Sequence, residues 1–145
     1  MSLFSSLSIS ASGMAAQRTR AEMLTENLAN AETTRTPDGG PYRRKDVVFE
    51  TQTAAPSFGA AFDSALQSGP AGVQVSEILV DPRDPELRYL PSHPDARPDG
   101  YVAYPRINTA EEMVDLMGAS RGYQANVASM SALKDMIQRS IDLLR

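Results

Sequence analysis

Cysteine is absent from this 145-residue chain, and histidine occurs once, at His93. The first absence removes disulfide frameworks, thiolate nucleophiles, zinc knuckles and iron-sulfur ligation, and the second removes any multi-histidine metal centre. A surplus of basic charge is missing too: 14 Lys and Arg against 18 Asp and Glu leave a net charge of -4 and a pI near 4.9. Affinity for phosphate-rich partners comes from clustered cations, so nucleic acid is not an expected ligand. No unbroken apolar run reaches the roughly 18 residues that a membrane-spanning helix needs. The first ten residues, MSLFSSLSIS, hold neither a basic stretch nor a continuous apolar one, so no cleavable secretory signal is expected. Phosphate loops, nucleophile elbows and dinucleotide fingerprints are also absent.

What is present is unevenly spread. All ten prolines lie between Pro37 and Pro105, and all seven methionines lie outside that interval. Residues 1–36 carry three basic and three acidic side chains, residues 37–105 six and ten, and residues 106–145 five and five. Three zones follow: an N-terminal helical arm (1–36), a Pro/Gly-rich acidic middle segment with short β-strands (37–105), and a C-terminal helical arm (106–145). The expected fold is mainly α, with two long helices pairing as a coiled-coil hairpin around a small irregular or β-rich insert.

Spacing supports the arms. In the first, Leu3, Leu7, Ser10, Met14, Gln17, Ala21, Leu24, Leu28 and Ala31 alternate steps of four and three, the seam of a coiled coil. Ser10 and Gln17 interrupt it and Ser12-Gly13 lowers helix propensity, so this helix is marginal without partners. In the second, Met113, Leu116, Ser120, Tyr123, Val127, Met130, Lys134, Ile137, Ile141 and Leu144 repeat the pattern with more apolar chemistry. Thr109-Ala110-Glu111-Glu112 reads as a capping box that starts the helix near Ala110. Run to the last residue, that helix is about 35 residues or ~52 Å, longer than one face of an ordinary globule of this size. Ordering two such arms needs more apolar contact than one copy supplies, so burial against further chains is expected. Gly118 and Gly122, spaced by four, would admit another helix closely.

In the middle segment, Tyr42 to Gln52, Val73 to Val80 and Gly100 to Tyr104 read as strands bounded by Gly and Pro. Ala54 to Gly72 reads as a flexible loop or short helix, and the proline-rich Asp81 to Pro98 as extended and exposed. Asp81, Asp84, Glu86, Asp95 and Asp99 cluster in sequence but lack the alternating oxygen spacing of a calcium loop, so a solvated acidic loop is expected. His93 has Ser92 and Asp95 beside it, yet neighbours in an extended loop cannot converge as a catalytic triad. Arg43-Arg44-Lys45 reads as a solvated strand edge. No residue is assigned to catalysis, to a metal or to a cofactor, and no small-molecule substrate is expected.

Three stretches carry a resemblance: MSLFSSLSISASGMAAQRTRAEMLTENLANAETT at the start, HPDARPDGYVAYPRIN, and EEMVDLMGASRGYQANVASMSALKDMIQRSIDLL at the end. Their most specific pieces are Asn27-Leu28-Ala29-Asn30, followed by threonines and Gly40-Pro41-Tyr42-Arg43-Arg44, and Ser120-Arg121-Gly122-Tyr123-Gln124-Ala125-Asn126. Together they resemble the bacterial flagellar basal-body rod proteins, nearest the proximal-rod C-type. Between Thr34 and Tyr42 the segment RTPDGGP makes a longer turn than the family pattern.

The resemblance implies a structural subunit of the proximal rod, exported through the flagellar type III apparatus without a cleaved signal and folding as it assembles. Its partners would be copies of itself, other rod proteins, the export apparatus and an adaptor at the basal MS ring or export gate, with no direct insertion into a membrane. The subunit interface would then include Leu3, Leu7, Met14, Leu24, Leu28, Met113, Leu116, Met117, Tyr123, Val127, Met130, Ile137, Ile141 and Leu144. Asn27, Asn30, Gln124 and Asn126 would add polar contacts that fix register. The rival readings are a coiled-coil adaptor or chaperone of a type III secretion system, and a membrane-inserting translocator, which the near-neutral arms disfavour.

Overall fold

A computed structural model describes residues 3–52 and 71–143. Leu144, the side chain of Leu3 and most of the expected loop from Ala54 to Gly72 lie outside the described residues. The element order is α1 (Leu3–Ala29), β1 (Lys45–Thr51), β2 (Val73–Val80), β3 (Glu86–Tyr89), β4 (Tyr101–Tyr104) and α2 (Thr109–Asp142). Two long helices therefore flank a small antiparallel-strand middle. The chain divides into two compact units, one built from Met1–Thr19, Phe49–Ser76 and Ala119–Arg145, the other from Arg20–Val48 and Glu77–Gly118.

In the first unit, α1 and α2 approach through residues with little side chain. A Cβ placed on Gly13 would lie 3.0 Å from Asn126 Oδ1, and one on Gly122 would lie 3.1 Å from Gln17 Cδ. Ascending order on one helix meets descending order on the other, so the chains run in opposite directions there. Ser10, Ala16 and Ala119 are buried. The Ser12-Gly13 step, a weak point by propensity, stays helical. Ser12 Oγ donates to the Ile9 carbonyl (2.8 Å) and accepts from the Val73 amide (3.0 Å), which fastens the start of β2 to α1.

Strands β1 and β2 pair. The bonds at their ends, from the Asp81 amide to the Arg44 carbonyl (2.8 Å) and from the Gln52 amide to the Gly72 carbonyl (2.7 Å), set them antiparallel. β2 occupies the expected Val73–Val80. β1 is shorter than expected because Tyr42 is spent elsewhere: its amide closes a turn onto the Thr33 carbonyl and its ring is buried.

In the second unit, β3 pairs antiparallel with β4 in the register Glu86↔Tyr104, Leu87↔Ala103, Arg88↔Val102 and Tyr89↔Tyr101. Period-two alternation puts Val102, fully buried, on the inner face and leaves Leu87, Tyr89 and Tyr101 exposed on the outer one. Strand β3 lies inside the stretch expected to be merely extended. At four residues between prolines it carries too little β signal to register, and its pairing with β4 makes it a strand. Gly100 is a turn residue, with φ of +80° and a position where a Cβ would fall 2.8 Å from the Tyr89 ring.

The start of α2 corrects the capping-box reading. Asn108 is the cap: its Oδ1 accepts from the Ala110 amide (3.1 Å) and its carbonyl from the Glu112 amide (3.0 Å). The Glu112 carboxylate, which a capping box would turn back on the helix end, points instead into the second unit. Among the described residues the buried apolar set is small: Ala16, Leu24, Tyr42, Val102, Pro105 and Ala119.

Candidate assembly surface

The apolar stripe expected to form the seam of α2 is largely free. Met113, Met117, Tyr123, Val127 and Ile141 are between 40% and 56% exposed, while Leu116, Met130 and Ile137 are half-buried. The inward line runs through Glu112, Leu116, Ala119, Gly122, Asn126, Met130, Leu133 and Ile137. Helix α2 thus turns a mixed line of apolar, small and polar residues towards its own chain and leaves Met113, Met117, Tyr123, Val127 and Ile141 exposed. Close backbone approach explains the small residues in that line, since dispersion contacts grow as the axes near, and a bulky seam would hold them apart. Gly122, read as an approach point for another helix, receives Gln17 of its own chain. At Gly118 a Cβ would meet nothing within 4 Å.

On α1 the inward positions include Ser10, Ala16, Leu24 and Asn27, whereas Leu7, Met14 and Leu28 are half-buried. Ser10 donates to the Ser6 carbonyl (3.1 Å), so this seam interruption is satisfied within its helix. Gln17 Oε1 is buried with no hydrogen-bond partner among the described residues.

In the second unit a polar node joins three parts of the chain. Asn27 has no exposed surface, and all four of its hydrogen-bonding positions are filled. Its Nδ2 donates to the Lys45 carbonyl (2.8 Å) and to Glu112 Oε2 (3.0 Å). Its Oδ1 accepts from Tyr42 Oη (3.0 Å) and from the Lys45 amide (2.9 Å). The other oxygen of Glu112, a residue 2% exposed, accepts from Arg44 Nε. Lys45 Nζ reaches Glu26 Oε1 at 2.6 Å.

Burial, with the charge of Glu26 next, pushes the Tyr42 phenol up to about 12. Burial opposes the charge on Arg44, but Glu112 and then Asp46 outweigh it and hold its pKa above the ordinary guanidinium value. The buried carboxylate is therefore matched by one cation, Arg44, and one neutral donor, the Asn27 amide, as a buried ion pair requires. From sequence, Arg44 and Lys45 read only as a solvated strand edge and Glu112 only as part of a capping box; Arg44 is instead half-buried against the Glu112 carboxylate, and Lys45 pairs with Glu26. The available signal was the Gly-Pro-Tyr-Arg-Arg piece, whose Tyr and second Arg meet the Asn-Leu-Ala-Asn piece and the start of α2 here.

The remaining polar positions are placed separately. Asn30 closes α1, its Nδ2 donating to the Glu26 carbonyl (2.9 Å) and its Oδ1 accepting from Thr33 Oγ1 (3.1 Å). Asn126 Nδ2 donates to the Gly122 carbonyl (2.9 Å), and Gln124 is exposed. The acids of the middle segment are dispersed among individual partners: Asp81 with Arg83, Glu86 with Arg88, and Asp95 with Thr34 and Arg35. His93 Nδ1 accepts from the Asp95 amide (3.1 Å). Among the described residues no three His, Asp or Glu side chains gather as metal ligands, and no helix is long and apolar enough to cross a membrane.

Residues 7–35 match the family described as flagella basal body rod protein, and residues 99–143 match the flagellar basal body rod FlgEFG protein C-terminal family. Over 100% of its length the chain is 39% identical to the flagellar basal-body rod protein FlgC of Borreliella burgdorferi, covering 99% of that protein. It is 41% identical to FlgC of Bacillus subtilis over 99% of both chains. To FlgC of Salmonella typhimurium it is 36% identical, over 99% of this chain and 98% of the relative.

Proposed function

The chain belongs to the FlgC family of flagellar basal-body rod proteins, and from that premise we propose how its helices build the rod. It is a structural subunit of the basal body and not an enzyme. In this proposal α1 and α2 pair as a coiled-coil hairpin, and hairpins of neighbouring copies and of other rod proteins stack into a hollow helical tube. The tube carries torque towards the hook and encloses the export channel.

The observation that supports this reading is the division of labour on α2. A helix whose inward line already holds Leu116, Ala119, Gly122, Asn126, Met130 and Ile137 still leaves Met113, Met117, Tyr123, Val127 and Ile141 exposed, available to neighbours. Covering what remains exposed of such side chains is worth on the order of 1 kcal/mol each, about half the value of full burial. Heterologous contacts that repeat without closing would cover them in every copy. The thin apolar core fits a subunit that is exported through the flagellar type III apparatus and completes its folding against neighbours. Contact with an adaptor at the MS ring or export gate belongs to the same proposal. An adaptor or chaperone of a secretion system draws no support from the relatives.

Deletion of the gene with plasmid complementation tests the reading. Loss of rod, hook and swimming, restored by the plasmid, is the expected outcome. Intact basal bodies in the deletion strain would refute it.

A further inference from the structure

In the first unit α1 and α2 interlock through two glycines and two amide side chains, one of each on either helix. Gly13 and Gln17 lie one turn apart on α1, and Gly122 and Asn126 one turn apart on α2. The Asn126 amide sits against Gly13, where a Cβ would fall 3.0 to 3.2 Å from its Oδ1, Nδ2 and Cγ. The Gln17 side chain sits against Gly122, where a Cβ would fall 3.1 to 3.4 Å from its Cδ, Cγ and Nε2. Each helix thus offers one knob and one hole, and the knob of each fills the hole of the other. Gly122 serves twice, because its carbonyl also accepts from Asn126 Nδ2 (2.9 Å) and so holds that knob in place.

Hydrophobicity does not account for this arrangement. Position 17 falls on the heptad seam of α1, yet it holds a glutamine whose Oε1 is buried with no hydrogen-bond partner among the described residues. A buried acceptor without a donor costs stability, whereas leucine there would have continued the seam. Gly13 and Gly122 each weaken the helix that carries them. What the four residues supply together is selectivity, the use to which polar seam positions are put in coiled coils. Heptads repeat, so sliding α2 along α1 by seven residues restores an apolar seam. The interlock does not repeat: after such a slide Asn126 meets Ser6 or Arg20 in place of Gly13, and Gln17 meets Asp115 or Ser129 in place of Gly122. Turning one helix end for end sets glycine against glycine and amide against amide. Of these arrangements only the observed antiparallel one fills both holes.

We infer that Gly13, Gln17, Gly122 and Asn126 are the recognition residues by which α1 selects α2, in one direction and one register, against the other heptad seams that assembly brings alongside. The inference deepens the rod reading above and rests on it.

Exchange of a knob with its hole tests the inference in a strain lacking the gene. Gly122→Gln sets two glutamines against each other and Gln17→Gly leaves a void. Each should cut complete basal bodies by about tenfold, counted by electron microscopy with the protein level verified. The double variant keeps the wild-type composition and offers a Gln knob on α2 to a Gly hole on α1, so it should restore basal bodies to within about threefold of wild type. Single variants that build normal numbers, or a double variant no better than the worse single one, overturn the inference. The cysteine-free sequence gives the register directly. In isolated basal bodies oxidised with copper phenanthroline, Gly13→Cys with Asn126→Cys should close a disulfide within the chain. Gly13→Cys with Ala119→Cys or Leu133→Cys, each seven residues from Asn126, should stay open. A link to either of those positions, or none at 126, overturns the inference. The unsubstituted gene must restore swimming in the same strain, and failure there refutes the rod reading instead of the interlock.

Discussion

At Asn27 one side chain replaces what would otherwise be several separate contacts. Its amide supplies two donors and two acceptors, and Lys45, Glu112 and Tyr42 use all of them. Asn27→Ala would strand the Tyr42 hydroxyl, both backbone groups of Lys45 and one oxygen of a buried carboxylate. A cost on the order of 3–5 kcal/mol is expected, large against the ~5–15 kcal/mol total of a domain, and urea unfolding followed by circular dichroism reads it. The same node gives a pH dependence. The folded pKa of Tyr42, about 12, lies above the usual 10.0. The folded state therefore keeps a proton that the unfolded state releases, so this contribution is complete below about pH 10 and is lost as pH rises towards 12. Urea midpoints at about pH 9 and pH 11 should diverge for the wild-type chain and diverge less for Tyr42→Phe. Equal divergence in both would remove Tyr42 as the cause.

At the scale of elements, the helices show what a heptad count can and cannot reveal. Their existence and length were legible: α2 spans 34 residues against an expected 35 or so, and the β2 bounds match the run VQVSEILV. The inward face keeps Leu116, Met130 and Ile137 of the heptad template and departs from it where the template follows Met113, Tyr123 and Val127, because the close intrachain approach selects Ala119, Gly122 and Asn126. Small residues carry no hydrophobic signal, so only coordinates reveal that preference. The Asn108 cap was hidden behind Thr109, an equally good capping type one residue later, and the fate of Glu112 depends on Arg44, 68 positions away. The two glycines of α2 separate these effects. Gly118→Ala should stabilise the isolated chain by about 0.5–1 kcal/mol, since it adds helix propensity where space is open. Gly122→Leu should destabilise it by about 1–3 kcal/mol by driving side chain into Gln17. Thermal melts of the two variants check both signs, and a shared sign would contradict the assigned inward face.

At the scale of the whole molecule, the chain holds a satisfied polar node and a thin apolar core while leaving large side chains of α2 in water. A polar lock fixes which parts of one chain meet without adding sticky surface, and the exposed stripe remains available to neighbours. Assembly and folding of the single chain are then separable by mutation. Val127, 40% exposed, is the position at which they part. Val127→Asp should leave the isolated chain within about 0.5 kcal/mol of wild type, as surface substitutions do, yet place an unpaired charge in the assembled wall. The most direct measurement replaces the chromosomal gene with this variant and examines basal bodies by electron microscopy, with the protein level verified in the same cells. Normal amounts of the protein with no rod, hook or filament are expected, and complete basal bodies built from Val127→Asp would contradict the packing of this stripe against neighbouring subunits.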